Sequence, residues 1–120
     1  MKIEIRRVYE SLQPSSEASY RVLIDRLWPR GVSKQELQFD SWEKELAPSP
    51  GLRKWFGHAP ERWEIFQEKY AKELEAAEMQ RHIKGLISAA DGRHITLLYG
   101  SRDPEHNHAL VLAEAIRRLY

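Results

Sequence analysis

Two short stretches of the sequence carry residue types that bind anions and move protons. The first stretch supplies one acid and two arginines, Asp25, Arg26 and Arg30. The second supplies Gly100, Ser101, Arg102, Asn107 and His108. A guanidinium is permanently charged and grips a carboxylate or phosphate at two points. Glycine lets a ligand approach the backbone, and a helix start presents free N–H groups to anions. These types predict a site for an anionic small molecule.

His108 is the residue that we expect to act as a general acid or base, because imidazole titrates near neutral pH. Asp25 is the second catalytic candidate. A structural interpretation stands beside this one: Asp25 pairs with an arginine, Asp103 caps a helix, and His108 forms a hydrogen bond near the helix start. Both interpretations, enzyme and binding protein, fit the sequence.

Metal and cofactor chemistry find little support in the sequence. The chain contains no cysteine, which excludes disulfides, thiolate metal sites and thiol nucleophiles. His106 and His108 form a His-x-His pattern, but on a helix their side chains point about 200° apart. No carboxylate is spaced to complete a zinc site with them. We therefore expect no metal and no cofactor.

The candidate residues follow two apolar segments that read as buried strands. The segment from Tyr20 to Leu27 contains the continuous run Val22-Leu23-Ile24, and Ile95 to Tyr99 is equally apolar. In parallel α/β sheets, ligands bind beyond the carboxyl ends of the strands. Function therefore depends on these two strand ends meeting at one edge of the sheet.

The remaining chain supplies one further strand and several helices. Residues 3–9 alternate as an edge strand would, and the polar link of residues 11–19 allows either a hairpin or a parallel return. A helix is predicted at residues 39–46, capped by Asp40 or Ser41, and a second at residues 52–56. A third begins at Pro60 and follows an apolar stripe that ends at Ala77. The last two are predicted at residues 79–90 and from an N-cap at Asp103 to residue 120. This order predicts a single compact α/β domain over residues 1–120, with a small, mainly parallel sheet of three or slightly more strands flanked by helices.

Composition restricts the range of partners. Lys and Arg total 19 against 18 Asp and Glu, a net charge of +1, which argues against a dedicated nucleic-acid binder. No apolar run approaches the length of a membrane span, and the first residues lack the apolar block of a signal peptide. We expect a cytoplasmic protein. The second hypothesis is a non-enzymatic regulatory or interaction domain that touches nucleic acid through Arg6, Arg7, Arg53 and Lys54.

Several blocks of the sequence together resemble the YeaO-like branch of the domain-of-unknown-function family 488. The blocks are RVY at residues 7–9, YRVLIDRLWPRGV at 20–32, WEKELAPSPGLRKWF at 42–56, residues 63–74, and TLLYGSRDPEHNHA at 96–109. The resemblance implies a compact α/β fold in bacterial cytoplasmic proteins. It implies no activity.

The chain departs from the wider family at its last strand. In the wider family a cysteine-containing loop and then a Cys-His-Arg motif follow that strand. The resemblance aligns Tyr99 with the loop cysteine and residues 107–109, Asn-His-Ala, with the motif, so that of these residues this chain has only the histidine. The D-x-R pattern of the wider family falls on Asp25 and Arg26. These departures put thiol chemistry in doubt and leave binding or acid–base roles.

Overall fold

The computed structural model describes residues 2–14 and 18–120; the middle of the predicted polar link, residues 15–17, lies outside the described residues. The sheet contains strands β1 (Ile3–Arg7), β2 (Ser19–Leu23), β3 (Ser41–Trp42) and β4 (His94–Tyr99). The helices are α1 (Pro50–Phe56), α2 (Trp63–Leu74), α3 (Ala77–Ala90) and α4 (His108–Leu119). Short 3-10 turns occupy Val8–Glu10, Lys44–Leu46 and Pro60–Arg62.

All strand pairings are parallel, in the order β1-β4-β2-β3. The α/β fold with a small parallel sheet is therefore confirmed, and β1 lies at an edge as predicted. The link after β1 forms no hairpin, because β4 separates β1 from β2. Leu23 of β2 pairs with Leu98 of β4, so the carboxyl ends of these strands are neighbours.

Side chains alternate between two apolar cores on opposite faces of the sheet. Val22, Ile24 and Leu97 face the larger core, to which all four helices contribute. Leu23 and Leu98 face a smaller core that is covered by non-helical chain carrying Val32 and Leu37, with Trp28 packed against it. The sheet thus has helices on one face and irregular chain on the other.

The predicted helix at residues 39–46 is wrong. Ser41 and Trp42 instead pair with β2, and the flanking N–H groups of Asp40 and Glu43 donate to the carbonyls of Arg21 and Leu23 at 2.7 and 2.9 Å. The open edge of β2 offers backbone partners that a short helix would leave unpaired. Asp40, the expected cap, accepts the N–H of Arg21 at 2.8 Å.

The helix boundaries differ from the predicted ones in three places. The apolar stripe from Trp63 stops at Leu74, where α2 ends, and Ala77 begins α3. Pro60 opens a 3-10 turn that leads into α2. The last helix starts at His108 with Asn107 as its N-cap, four positions later than a cap at Asp103 predicts. None of the helices in the described residues is long and apolar enough to cross a membrane.

Candidate functional site

The segments after β2 and β4 meet at one edge of the sheet and enclose a cavity of about 460 Å³. All but one of the predicted site residues line it: Asp25, Arg26, Arg30, Gly100, Ser101, Asn107 and His108. Arg102 instead lines an adjoining cavity, to which Arg7 also contributes and which shares Arg30, Gly100 and Ser101 with the first. We call these the main cavity and the side cavity. The structure therefore brings the two stretches together.

Asp25 ties the two strand ends to each other. Its Oδ2 accepts the backbone N–H of Gly100 at 2.9 Å, and its backbone carbonyl accepts the indole N–H of Trp42 at 2.7 Å. A Cβ at position 100 would lie 2.8 Å from Asp25 Oδ2, closer than such atoms approach, which explains the glycine. Asp25 forms no ion pair with an arginine in the described part of the chain, contrary to the structural interpretation considered above.

His108, the first residue of α4, has its ring held in a defined orientation. Its Nε2 lies 2.9 Å from the carbonyl oxygen of Ile24 and 3.3 Å from Asp25 Oδ1. A carbonyl oxygen only accepts, so Nε2 carries a hydrogen and the neutral ring keeps its lone pair on Nδ1. The ring also meets the edge of Tyr70, with centroids 6.2 Å apart. This arrangement commits Nε2 to the Ile24 carbonyl.

Asn107 acts as the N-cap of α4. Its side-chain oxygen accepts the N–H of Ala109 at 3.1 Å, and its amide group donates to the carbonyl of Asp103 at 2.9 Å. Both functional groups of this buried side chain are therefore engaged within the protein, and the late start of α4 has its cause here.

Asp103 caps a turn and not the helix. Its Oδ1 accepts the N–H groups of Glu105 and His106, and its Oδ2 contacts the His106 ring at 2.8 Å. The hydrogen bond from Glu105, followed by the one from the His106 side chain, lowers the pKa of Asp103. The Asp103 carboxylate is thereby directed toward residues 105 and 106.

Three buried polar atoms of cavity-lining residues have no hydrogen-bond partner among the described residues. These are Asp25 Oδ1, Arg26 Nε and Ser101 Oγ. Arg26 otherwise donates to the carbonyls of Ala47 and Pro48, each at 3.3 Å. An unpaired buried donor or acceptor typically costs about 1–3 kcal/mol, so these atoms mark the places where a ligand or solvent would be held.

The arginines around the two cavities lack acidic partners. Within residues 2–14 and 18–120, no carboxylate lies within 4 Å of a guanidinium nitrogen of any of them: Arg7, Arg26, Arg30, Arg53 and Arg102. Arg7 donates from Nε to the carbonyl of Ser101 at 2.9 Å and stacks on Tyr9, whose hydroxyl donates to the carbonyl of Arg30 at 2.7 Å. These contacts hold the two loops together and leave the charges uncompensated.

Three basic residues that line the main cavity were not predicted as site residues: Arg53, His58 and His106. Arg53 lies on α1, whose Phe56 also lines the cavity, and its sequence context predicted only a nucleic-acid contact. His58 follows Gly57, the left-handed residue that ends α1. The signal available in the sequence was the Gly-His pair directly after a short amphipathic helix.

Tyr70 lies beneath the cavity, completely buried, and its hydroxyl donates to the carbonyl of Leu46. Burial raises the pKa of Tyr70 well above its usual value, and the negative charges of Glu73 and Asp25 act in the same direction. The phenol therefore stays protonated and acts as a hydrogen-bond donor. For metals, the residues that the structure describes contain no group of three or more histidine or acidic side chains placed to hold an ion.

A family model described as "Inactive DUF488-N3 subclade" matches residues 2–120 of this chain. The chain belongs to this DUF488 subclade. The resemblance to the YeaO-like branch is confirmed as well, since the chain is 42% identical over 119 residues to the uncharacterized protein YeaO of Escherichia coli, covering 99% of the chain and 100% of the relative.

Relatives of the DUF488 chain also occur in mycobacteria. It is 34% identical over 116 residues to the uncharacterized proteins Rv3073c of Mycobacterium tuberculosis and Mb3100c of Mycobacterium bovis, covering 96% of the chain and 93% of each relative. No solved structure shows significant similarity to the chain.

Proposed function

We propose that this DUF488 chain binds a small organic anion in the main cavity and does not transform it. The observation that carries the proposal is the set of arginines without acidic partners around the cavity. Among the described residues that line the main cavity, Asp25 is the one carboxylate, and it already accepts the N–H of Gly100. Guanidinium groups that line one cavity without acidic partners create a positive potential there, which attracts an anion.

The unpaired polar atoms support the same proposal. Arg26 Nε and Ser101 Oγ are hydrogen-bond donors without partners, and Asp25 Oδ1 is an acceptor without one. A ligand with an anionic group beside an N–H or O–H group would satisfy donors and acceptor together. A volume of about 460 Å³ falls in the range typical of small-molecule sites.

The apolar part of the lining favours an organic ligand over a bare inorganic ion. Leu27, which is 61% exposed, contributes water-accessible apolar surface to the wall, behind which lie the buried Pro48, Phe56 and Phe66. An apolar ligand body that covers these surfaces gains about 25 cal/mol for each Å² removed from water. An inorganic anion would leave them wet.

Binding is favoured over catalysis by two observations. The subclade to which the chain belongs is described as inactive. In addition, the Nε2 hydrogen of His108 is donated to the Ile24 carbonyl, and Asp25 holds the Gly100 backbone, so both groups maintain the architecture of the cavity. The acid–base role of His108 stays a prediction, which the turnover assay described in the Discussion tests.

The cellular compartment of the chain is part of the same proposal. The relatives are from bacteria, and the chain lacks cysteine, so we place it in a bacterial cytoplasm. Fractionation of a strain that expresses the chain would test this placement.

The experiment is a binding measurement with defined anions. Benzoate, phenyl phosphate, inorganic phosphate and sulfate would each be titrated by calorimetry and by thermal unfolding. A ligand present at a hundredfold its Kd stabilises the folded state by about 2.7 kcal/mol. We expect the organic anions to bind more tightly than the inorganic ones.

Variants assign the binding to the cavity. Arg26→Gln and Arg53→Gln should each weaken the organic anions about tenfold, the typical effect of removing one charge-assisted hydrogen bond. Arg118→Gln is the matched control, since Arg118 is exposed near the end of α4 and lines neither cavity. The proposal fails when no anion binds saturably, or when the control weakens binding as much as the cavity variants do.

The hypothesis of an interaction domain that contacts nucleic acid ranks second. Arg6 forms an ion pair with Glu4 at 3.1 Å, so one of its four basic side chains is already engaged. Retardation of short DNA or RNA that falls steeply with rising salt would support this hypothesis. Absence of retardation at low salt would dismiss it.

A further inference from the structure

The side cavity differs in charge from the main cavity. Of the described residues that line it, Arg7, Arg30, Arg102 and His58 are basic and none is acidic. Asp103, the residue after Arg102, directs its carboxylate to the backbone and ring of residues 105 and 106. The apolar wall formed by Phe56 and Phe66 belongs to the main cavity alone. Basic side chains thus line both cavities, whereas the side cavity lacks both the apolar wall and the carboxylate of the main cavity among the described residues.

We propose that the ligand is a phosphomonoester, with its phosphate in the side cavity and its organic body in the main cavity. This inference rests on the proposed function and specifies the ligand class. A phosphate monoester carries a charge of about −1.5 to −2 at neutral pH and offers three strong acceptor oxygens. A carboxylate has one charge and two oxygens, which a single guanidinium satisfies. Several unpaired arginines in one compartment match the phosphate.

Ser101 connects the two compartments. It lines both cavities, and its buried hydroxyl has no hydrogen-bond partner among the described residues. Its backbone carbonyl holds Arg7 at 2.9 Å, which fixes that guanidinium beside the hydroxyl's own loop. A ligand that passes from one cavity into the other would place its ester oxygen or phosphate near this hydroxyl.

His58 supplies an independent indication at the same junction. It lines both cavities and has a φ of 60°, a left-handed conformation that is unfavourable for a residue with a side chain. The left-handed cap of α1 is already Gly57, so the end of the helix does not require this conformation at His58. Strained residues persist where their side chains serve a site. We assign the His58 ring to the phosphate.

The test compares three probes on the full chain by calorimetry: phenyl phosphate, benzoate and inorganic phosphate. We expect phenyl phosphate to bind at least about tenfold more tightly than either of the others, because it alone occupies both compartments. Arg102→Gln, which alters the side cavity alone, should weaken phenyl phosphate about tenfold and leave benzoate within about twofold. Arg118→Gln should change neither affinity.

His58→Gly is a second variant, which we expect to weaken the binding of phenyl phosphate without lowering the stability of the fold. Glycine accepts a positive φ, so the melting temperature should stay the same or rise, while phenyl phosphate binds more weakly. Equal affinities for benzoate and phenyl phosphate, or equal effects of Arg102→Gln on both, overturn this inference while leaving the proposed function intact. Absence of saturable binding by both organic probes overturns the proposed function, and the inference with it.

Discussion

The Asp25 carboxylate accepts the backbone N–H of Gly100 across 75 positions of sequence. The bond joins the loop after β2 to the loop after β4, and it forms at the rim shared by the two cavities. Because the carboxylate occupies the space where a Cβ would lie, position 100 tolerates glycine and little else. The geometry of the cavity therefore depends on a contact that is formed before any ligand arrives.

Gly100→Ala should destabilise the fold by about 1–3 kcal/mol, because the added methyl overlaps Asp25 Oδ2. Urea denaturation measures the change. Gly85→Ala is the matched control: Gly85 lies within α3, a Cβ there meets no atom within 4 Å, and the substitution should stabilise by about 0.5–1 kcal/mol. Equal stability of the two variants would contradict the steric argument.

Tyr70→Phe should lower stability at neutral pH by about 1–2 kcal/mol, since it leaves the buried Leu46 carbonyl without its donor. It should also make the free energy of unfolding fall less steeply with pH in the alkaline range. The folded-state pKa of Tyr70 is raised, so its contribution is complete below the unfolded value of 10.0 and is lost as pH rises above it. By pH 11 the native chain should have lost about 1.4 kcal/mol more than the variant. Parallel curves in urea melts from pH 9 to about 11 would refute this.

Asn107→Ala should destabilise by about 1 kcal/mol through loss of the α4 N-cap. Asn107→Ser keeps a neutral side-chain acceptor at the N-cap and loses the donation to Asp103, so it should recover part of the loss. Thermal unfolding ranks the three proteins. An alanine variant as stable as the native chain would show that the cap is unimportant.

Arg21→Leu should destabilise by about 2–4 kcal/mol. Arg21 is 4% exposed, and its guanidinium donates to the carbonyls of Gln38 and Ser11, which lose their partners in the variant. Burial lowers the pKa of Arg21, against the opposing charge of Asp40. Arg81→Leu, at a surface position on α3, is the comparison. A loss at Arg21 no larger than at Arg81 would count against a structural role.

The chain should not hydrolyse p-nitrophenyl phosphate. Release of nitrophenolate, followed by its colour, should match a buffer blank, and His108→Gln should not alter it. Release that exceeds the blank and disappears in His108→Gln would overturn binding without transformation and assign the acid–base role to this histidine.

The sheet and the meeting of the two loops were predictable from sequence, because buried parallel strands read as unbroken apolar runs and their ends converge at one edge. The strand at Ser41–Trp42 was not predictable. Its short segment has no pattern of its own and owes its conformation to free backbone groups on β2.

The candidate site was predicted in part for a similar reason. Residues directly after the strands were found, whereas Arg53 and His58 reach the cavity through the packing of α1 against the larger core. Nothing in the local sequence specifies that packing. Strand register is not visible in the local sequence either. Asp25 was therefore expected to pair with an arginine, whereas the register of β2 and β4 brings the Gly100 N–H opposite it.

The uneven covering of the sheet has a consequence for motion. One wall is helical and cross-linked by its own hydrogen bonds, while the other is irregular chain around Trp28 and Leu37. That wall is continuous with the Arg26–Arg30 rim, so the least costly local opening should release the rim while the helical wall stays closed. Amide exchange should then slow at this rim when an anion occupies it. The exchange rates of the irregular chain alone would therefore show whether the site is occupied.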